Sequence, residues 1–207
     1  MNKNLFWLMI VFLMAGWFYP PLGLLAVICM LAPLAMAAYK GRFWCGNYCP
    51  RGSLYDNVLA PLSYGQPVPE FFTSKSFRVV ALLIVFVVFG YNLYLVWPSL
   101  DGIGTLFIKM IIATTLIGVL LGLFFKERIW CNFCPMGTLA NFLTPKTTPK
   151  LYVKESCVLC SMCVKACPMS LKPYTARGKM TGFKSNDCLR CGRCANICPK
   201  KAIVYKL

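Results

Sequence analysis

Twelve of the thirteen cysteines in this 207-residue chain stand in pairs or runs whose spacing suits metal ligation. The densest stretch lies between Cys157 and Pro199, where CVLCSMCVKACP is followed further on by CLRCGRCANICP. Each half reads C-x2-C-x2-C-x3-C-P. Thiolates at this spacing hold pairs of iron–sulfur cubes: three close cysteines grip one cube, and the fourth reaches across to the other. The motif predicts Cys157, Cys160, Cys163 and Cys198 on one [4Fe–4S] cluster. It predicts Cys188, Cys191, Cys194 and Cys167 on a second. Pro168 and Pro199 turn the chain away after each crossover ligand. Tetrahedral zinc sites usually draw two ligand pairs across a longer gap, so two [4Fe–4S] clusters are the expected cofactors.

A second constellation is divided along the chain. Residues 40–54 read KGRFWCGNYCPRGSL, and residues 126–139 read KERIWCNFCPMGTL. They form an internal repeat, one residue shorter in the second copy. Cys45 and Cys49 are four apart and Cys131 and Cys134 three apart, so on a helix each pair would share a face. Brought together, the four thiols could hold a third centre, [2Fe–2S] or [4Fe–4S], at the membrane boundary. The residues leave open a structural zinc site, a copper-handling site or free redox thiols. A disulfide does not suit a reducing cytoplasmic face. The remaining cysteine, Cys29, lies in an apolar stretch and is read as a small hydrophobe.

The elements that must position these groups are apolar. The chain is 58% hydrophobic and 14% charged, with mean hydropathy +0.64; a soluble domain carries about 25% charged residues. The composition predicts a membrane protein with a polar appendage. Four apolar runs, Leu5–Tyr19, Leu22–Tyr39, Val79–Trp97 and Ile103–Phe125, read as about four transmembrane helices in two duplicated hairpins. Each hairpin is followed by one Cys-pair unit, an arrangement in keeping with duplicated membrane folds. The apolar run continues beyond the first stretch without an A-x-A site, which argues against a cleaved signal peptide. A short interfacial helix and a Pro/Gly-containing loop are expected between Gly52 and Ser74. Residues 1–143 thus form a membrane domain, 144–150 a short basic linker, and 151–207 an iron–sulfur domain.

Lys3, Lys40, Arg42, Arg51, Lys75, Arg78, Lys126 and Arg128 all lie at the same ends of the apolar hairpins. By the positive-inside rule, both Cys pairs and the C-terminal domain face the cytoplasm across the inner membrane. Lys109, inside the fourth run, is close enough to its end to snorkel. The chain has no histidine, which excludes His-ligated haem, a Rieske centre and histidine acid–base chemistry. From Lys150 onward there are twelve Lys/Arg and two Asp/Glu. Such a face suits anionic lipid or an acidic redox partner. Nucleic acid is not expected, because no nucleic-acid motif accompanies the charge. A quinone contact, without histidine, would draw on Tyr48, Tyr55, Asn57, Tyr91, Asn92 or Asn141.

From about Leu151 onward the chain resembles bacterial two-cluster ferredoxins, which implies their βαβ-type α+β fold. The whole chain resembles the NapH/NosR type of membrane iron–sulfur protein. The matching residues are Cys45, Cys49, Pro50, Cys131, Cys134, Pro135 and the eight C-terminal cysteines, although the second pair departs from the C-x3-C-P spacing usual there. No flavin-binding domain of the larger NosR-like members is seen. The resemblance implies single-electron transfer between the quinone pool or a membrane partner and a cytoplasmic or complex-bound redox protein, as an oxidoreductase subunit rather than a stand-alone enzyme. The similar CcoG kind of cytochrome-oxidase assembly protein implies the alternative, a copper reductase or assembly factor using the membrane-face cysteines.

Overall fold

The computed structural model describes residues 4–145 and 151–205. Lys3 and most of the expected linker lie outside the described residues.

The first apolar helix is Leu5–Phe18. Its 14 residues reach about 21 Å, short of a hydrocarbon core of about 30 Å. Pro20 and Pro21 end it, as expected. The chain then enters a 3₁₀ stretch, Pro20–Leu25, that runs directly into the helix Ala26–Lys40. Proline is tolerated there because the N–H groups of a first turn have no helical partner. Three segments are long and apolar enough to cross a membrane: Pro20–Lys40, Lys75–Val96 and Leu100–Phe124. The expected count was four; Leu5–Phe18 is the helix that falls short. Ser74 and Ser99 cap the last two spans, their hydroxyls accepting from Phe77 N (3.2 Å) and Gly102 N (3.1 Å). These bonds satisfy N–H groups that a helix start otherwise leaves open.

The spans pack through small residues. A Cβ on Gly104 would lie 1.9 Å from the carbonyl oxygen of Pro20, and one on Gly23 would lie 2.2 Å from that of Gly104. Backbones meet here because glycine leaves room, the usual basis of helix association in lipid. Outward-facing Val80, Leu83, Ile84 and Val87 leave Lys75–Val96 an apolar surface for lipid.

Each repeat unit folds as a short helix, a Cys-Pro break and a second short helix. The first unit comprises Phe43–Asn47 and Pro50–Leu54; the second comprises Trp130–Phe133 and Pro135–Leu143. A π turn, Tyr55–Leu59, extends the first unit in place of a regular interfacial helix. The C-terminal domain is a small α+β unit. Strands Tyr152–Val153 and Ile203–Val204 pair antiparallel, with Tyr152 opposite Val204. One-turn helices Met162–Lys165 and Arg193–Asn196 follow the two cysteine loops. Leu151, Val153, Ala176 and Ile203 form its core.

Gly104→Ala should lower stability by about 1–3 kcal/mol through overpacking, read as an earlier thermal transition in detergent. Gly90→Ala, where a Cβ meets nothing within 4 Å, should not.

Candidate metal centres

The C-terminal domain brings each predicted quartet together. One cavity is lined by Cys157, Cys160, Cys163 and Cys198, and a second by Cys167, Cys188, Cys191 and Cys194. Their volumes are alike, about 390 and 360 Å³ including space open to solvent. Among the described residues no three Cys, Asp or Glu side chains converge tightly enough for a single metal ion. Four thiols around one cavity are the donor set that a four-cysteine iron–sulfur group requires.

The two loops share an unusual backbone. Leu159 (φ 56°) and Arg190 (φ 51°) hold equivalent places between the first two cysteines. Ser161 (φ 58°) and Gly192 (φ 81°) follow the second cysteine, and Ser170 (φ 54°) and Lys201 (φ 45°) follow each Cys-Pro. Three pairs of equivalent left-handed residues therefore recur. Such conformations cost non-glycine residues about 1–3 kcal/mol and persist where the surroundings require them. Alternating right- and left-handed residues aim successive N–H groups into a concavity suited to an anion. Polar groups also reach the sulfurs directly: Ala202 N donates to Cys198 Sγ at 3.4 Å, and the Tyr205 hydroxyl lies 3.2 Å from Cys194 Sγ.

Burial pushes the Cys188 thiol up to about 12, with Cys194, Cys191 and Cys167 adding to the shift. Its three expected co-ligands are thus its close electrostatic neighbours. Four such thiols cannot all ionise without added positive charge, which is what bound iron supplies.

The membrane-face cysteines also converge. Cys45 senses the charges of Cys134 and Cys131, and Cys49 those of Cys45 and Cys131. Burial first, then these neighbours, push Cys49 up to about 12, against a lowering pull from Arg128. The pairs are not on single helices, as their spacing had implied. Cys49 and Cys134 are extended residues (ψ 115° and 130°) that precede the proline opening the next helix. Because proline disfavours a helical residue before it, each pair spans a helix break. Cys29 is exposed on its membrane helix.

Two arginines brace this quartet, and each crosses to the other repeat. Arg42 donates to the carbonyl of Cys131, and Arg128 to that of Cys45 at 2.8 Å. Arg42 passes over Gly137 and Arg128 over Gly52, where a Cβ would lie 2.6 and 2.3 Å from a guanidinium nitrogen. Both arginines are 2% exposed. Arg128 pairs with the buried Asp56, which also receives Arg193 of the C-terminal domain at 2.8 Å. Arg42 lies 3.3 Å from Asp187, a residue of the C-terminal domain. Arg78 donates twice to Asp187, at 2.6 and 3.2 Å, and Asn141 once, at 2.7 Å. Burial works against the Asp187 carboxylate, but Arg78 and then Arg42 hold its pKa below the usual value.

The docked domain turns one quartet toward the membrane. Leu189 fits against Gly46, where a Cβ would lie 2.1 Å from the Leu189 oxygen. Leu189, Met169 and Cys131 form one buried cluster with Cys45, Cys167 and Cys191 at its edge. Lys126 Nζ donates to the carbonyls of Cys167 (2.7 Å) and Val164 (3.2 Å). Arg193 also reaches Glu127 at 2.7 Å.

Sequence reasoning missed this ionic frame. Its one signal was the arginine three residues before the first cysteine of both copies. Three of the chain's six acidic residues meet arginines there: Asp56, Glu127 and Asp187. Several polar candidates for a quinone contact have internal partners instead. Asn57 bonds Ser53, Asn92 bonds the Val88 carbonyl, and Asn141 bonds Asp187.

A mostly helical chain with candidate membrane spans and a C-terminal pair of four-cysteine sites is a membrane iron–sulfur protein of the ferredoxin type. The 4Fe-4S binding domain family matches it twice, at residues 22–63 and 109–151, once for each repeat. The 4Fe-4S dicluster domain family matches residues 156–203. The ferredoxin-type protein NapH of Haemophilus influenzae is 24% identical over 83% of this chain and 64% of its own length, so the match spans under two thirds of that relative. An uncharacterized protein of Methanocaldococcus jannaschii, MJ0749, is 26% identical over 88% of this chain and 71% of its own length. Pyruvate synthase subunit PorD of Thermotoga maritima is 44% identical over 24% of this chain and 50% of its own length. No solved structure matches. The chain is thus a ferredoxin-type 4Fe–4S electron-transfer protein, similar to NapH over most of its length.

Arg128→Met should cost about 1.5–3 kcal/mol by removing charged hydrogen bonds from the buried Asp56, which keeps Arg193, seen in thermal unfolding. Adding Asp56→Asn should recover more than half of the loss, since Arg193 keeps Glu127.

Proposed function

We propose that the chain is a membrane-anchored one-electron relay between a membrane donor or acceptor, such as the quinone pool, and a cytoplasmic redox protein. The observation that carries this reading is the row of three cysteine quartets. Cys45, Cys49, Cys131 and Cys134 stand at the membrane face, and Cys167 and Cys191 pack beside them through Leu189. Cys194 senses Cys163 of the outermost quartet, and Cys160 of that quartet is exposed.

In this reading Cys157, Cys160, Cys163 and Cys198 hold one [4Fe–4S] cluster, and Cys188, Cys191, Cys194 and Cys167 a second. The membrane-face quartet holds a third iron–sulfur group, with Arg42 and Arg128 offsetting its negative charge. Bound clusters supply reversible one-electron transfer. The protein residues fix the spacing of the sites, exclude water and set potentials through charge and N–H contacts to sulfur. Both match positions of the 4Fe-4S binding domain family include a membrane-face pair. Close covering of Cys45 and Cys131 by the docked domain weighs against a site that admits and releases copper.

The reading divides the chain into a membrane domain (1–143), a linker (144–150) and a ferredoxin domain (151–207), with that domain and both Cys pairs on the cytoplasmic side. Around Cys160 the rim residues Val158, Leu159 and Met162 are exposed, as are Lys154, Lys200 and Lys201. An apolar centre with a basic rim suits an acidic redox protein, whose encounter such charges would steer.

Anaerobically purified protein should contain about twelve irons per chain if all three sites hold cubes, or about ten with one [2Fe–2S] group. The variant with Cys45, Cys49, Cys131 and Cys134 changed to Ala should keep about eight and lose one EPR signal; about eight irons in both forms would remove the third cluster. Charge reversal at Lys154, Lys200 and Lys201 should slow electron exchange with an acidic ferredoxin by about tenfold or more at low salt. High salt should erase the difference.

A further inference from the structure

The two repeats are not equivalent at one position, and the C-terminal domain fills the difference. Counting from the Cys-Pro step, Asp56 of the first repeat corresponds to Asn141 of the second. Asp56 supplies the carboxylate for Arg128. By the same crossed arrangement, Arg42 should meet residue 141, but that residue carries a neutral amide. Arg42 is 2% exposed, and a buried cation without a counter-charge is strongly unfavourable. Arg78 is also buried, at 8% exposure.

We infer that Asp187 is the positioning residue that seats the ferredoxin domain on the membrane half, by entering the carboxylate place that Asn141 leaves open. All described partners of its side chain lie in the membrane half: Arg42, Arg78 and Asn141. Its neighbour Asn186 extends the contact, donating to the carbonyls of Asn141 (3.2 Å) and Thr144 (3.0 Å). The next residue, Cys188, is a candidate ligand. Seating Asp187 therefore sets the position of the Cys188 quartet over Cys45 and Cys131. Arg193 repeats the logic with opposite sign, inserting a cation beside Asp56 and Glu127. Each half of the membrane face thus contributes to a two-arginine site completed by the C-terminal domain, with Asp187 as the carboxylate of one and Asp56 and Glu127 as those of the other. This inference goes beyond the relay reading.

The test is hydrogen exchange by mass spectrometry on the full chain, cluster-loaded, in detergent and under anaerobic conditions. Iron per chain is counted alongside. Asp187→Asn should speed exchange about tenfold or more in residues 185–193 and 42–47, with iron content unchanged, because local opening becomes easier. Asn141→Asp combined with Asp187→Asn should restore protection in 42–47, since Arg42 regains a carboxylate within its own half. Residues 185–193 should stay fast in that double variant. Arg78→Ala, remote in sequence from every cysteine of the domain, should loosen 185–193 in the same direction. Unchanged exchange in Asp187→Asn would overturn the inference. So would loss of iron with fast exchange throughout 151–205, which would make Asp187 a support of its own domain. Failure of the relay reading would leave these exchange results unaltered.

Discussion

The burial of two guanidinium groups governs this structure. Arg42 and Arg128 stand inside a chain that offers few acids, and neither can shed its charge. Each must be given a carboxylate and carbonyl oxygens, or the membrane half would not close. Exchange between the repeats meets the carbonyl requirement, each arginine bonding the first cysteine of the other copy. The carboxylates come from different places, Asp56 within the membrane half and Asp187 from the ferredoxin domain. The same ion pairs therefore close the membrane half and fasten the second domain to it.

This arrangement bears on electron transfer because rates depend steeply on separation between centres. A domain tethered only by a basic linker would sample many positions. Here Leu189 lies against Gly46, and Lys126 holds carbonyls around Cys167. Cations also gather around the membrane-face thiols, which lowers the energy of any negatively charged group bound there. Packing and charge thus act together: glycines permit the approach, and arginines determine its register.

Duplication explains both the regularity and its exceptions. In the membrane half, the shared K-x-R, W-C and C-P-x-G-[S/T]-L elements produce two crossed, nearly twofold units. In the ferredoxin domain, three pairs of left-handed residues recur around the two quartets. Departures fall where function or docking needs asymmetry. The second Cys pair is one residue closer, Asn141 stands opposite Asp56, and Cys160 is exposed while its equivalent, Cys191, is half-buried.

Much of the plan was legible in the linear chain. Cysteine spacing indicated the two C-terminal quartets, since three cysteines of each share one short loop and the repeated run supplies the fourth from the other. Apolar runs determined the spans of Pro20–Lys40, Lys75–Val96 and Leu100–Phe124, since lipid demands continuous hydrophobic helices of sufficient length. Leu5–Tyr19 was counted among about four spans, and it forms the helix Leu5–Phe18, shorter than a membrane crossing. The repeat indicated that Cys45 and Cys131 belong together, although the helix break at each Cys-Pro was missed. Only the tertiary structure decided which acid meets which arginine. Asp187 is 145 residues from Arg42, and an ion pair at such separation leaves no periodic or spacing signal. Its partners are selected by burial, which exists only once both domains have packed.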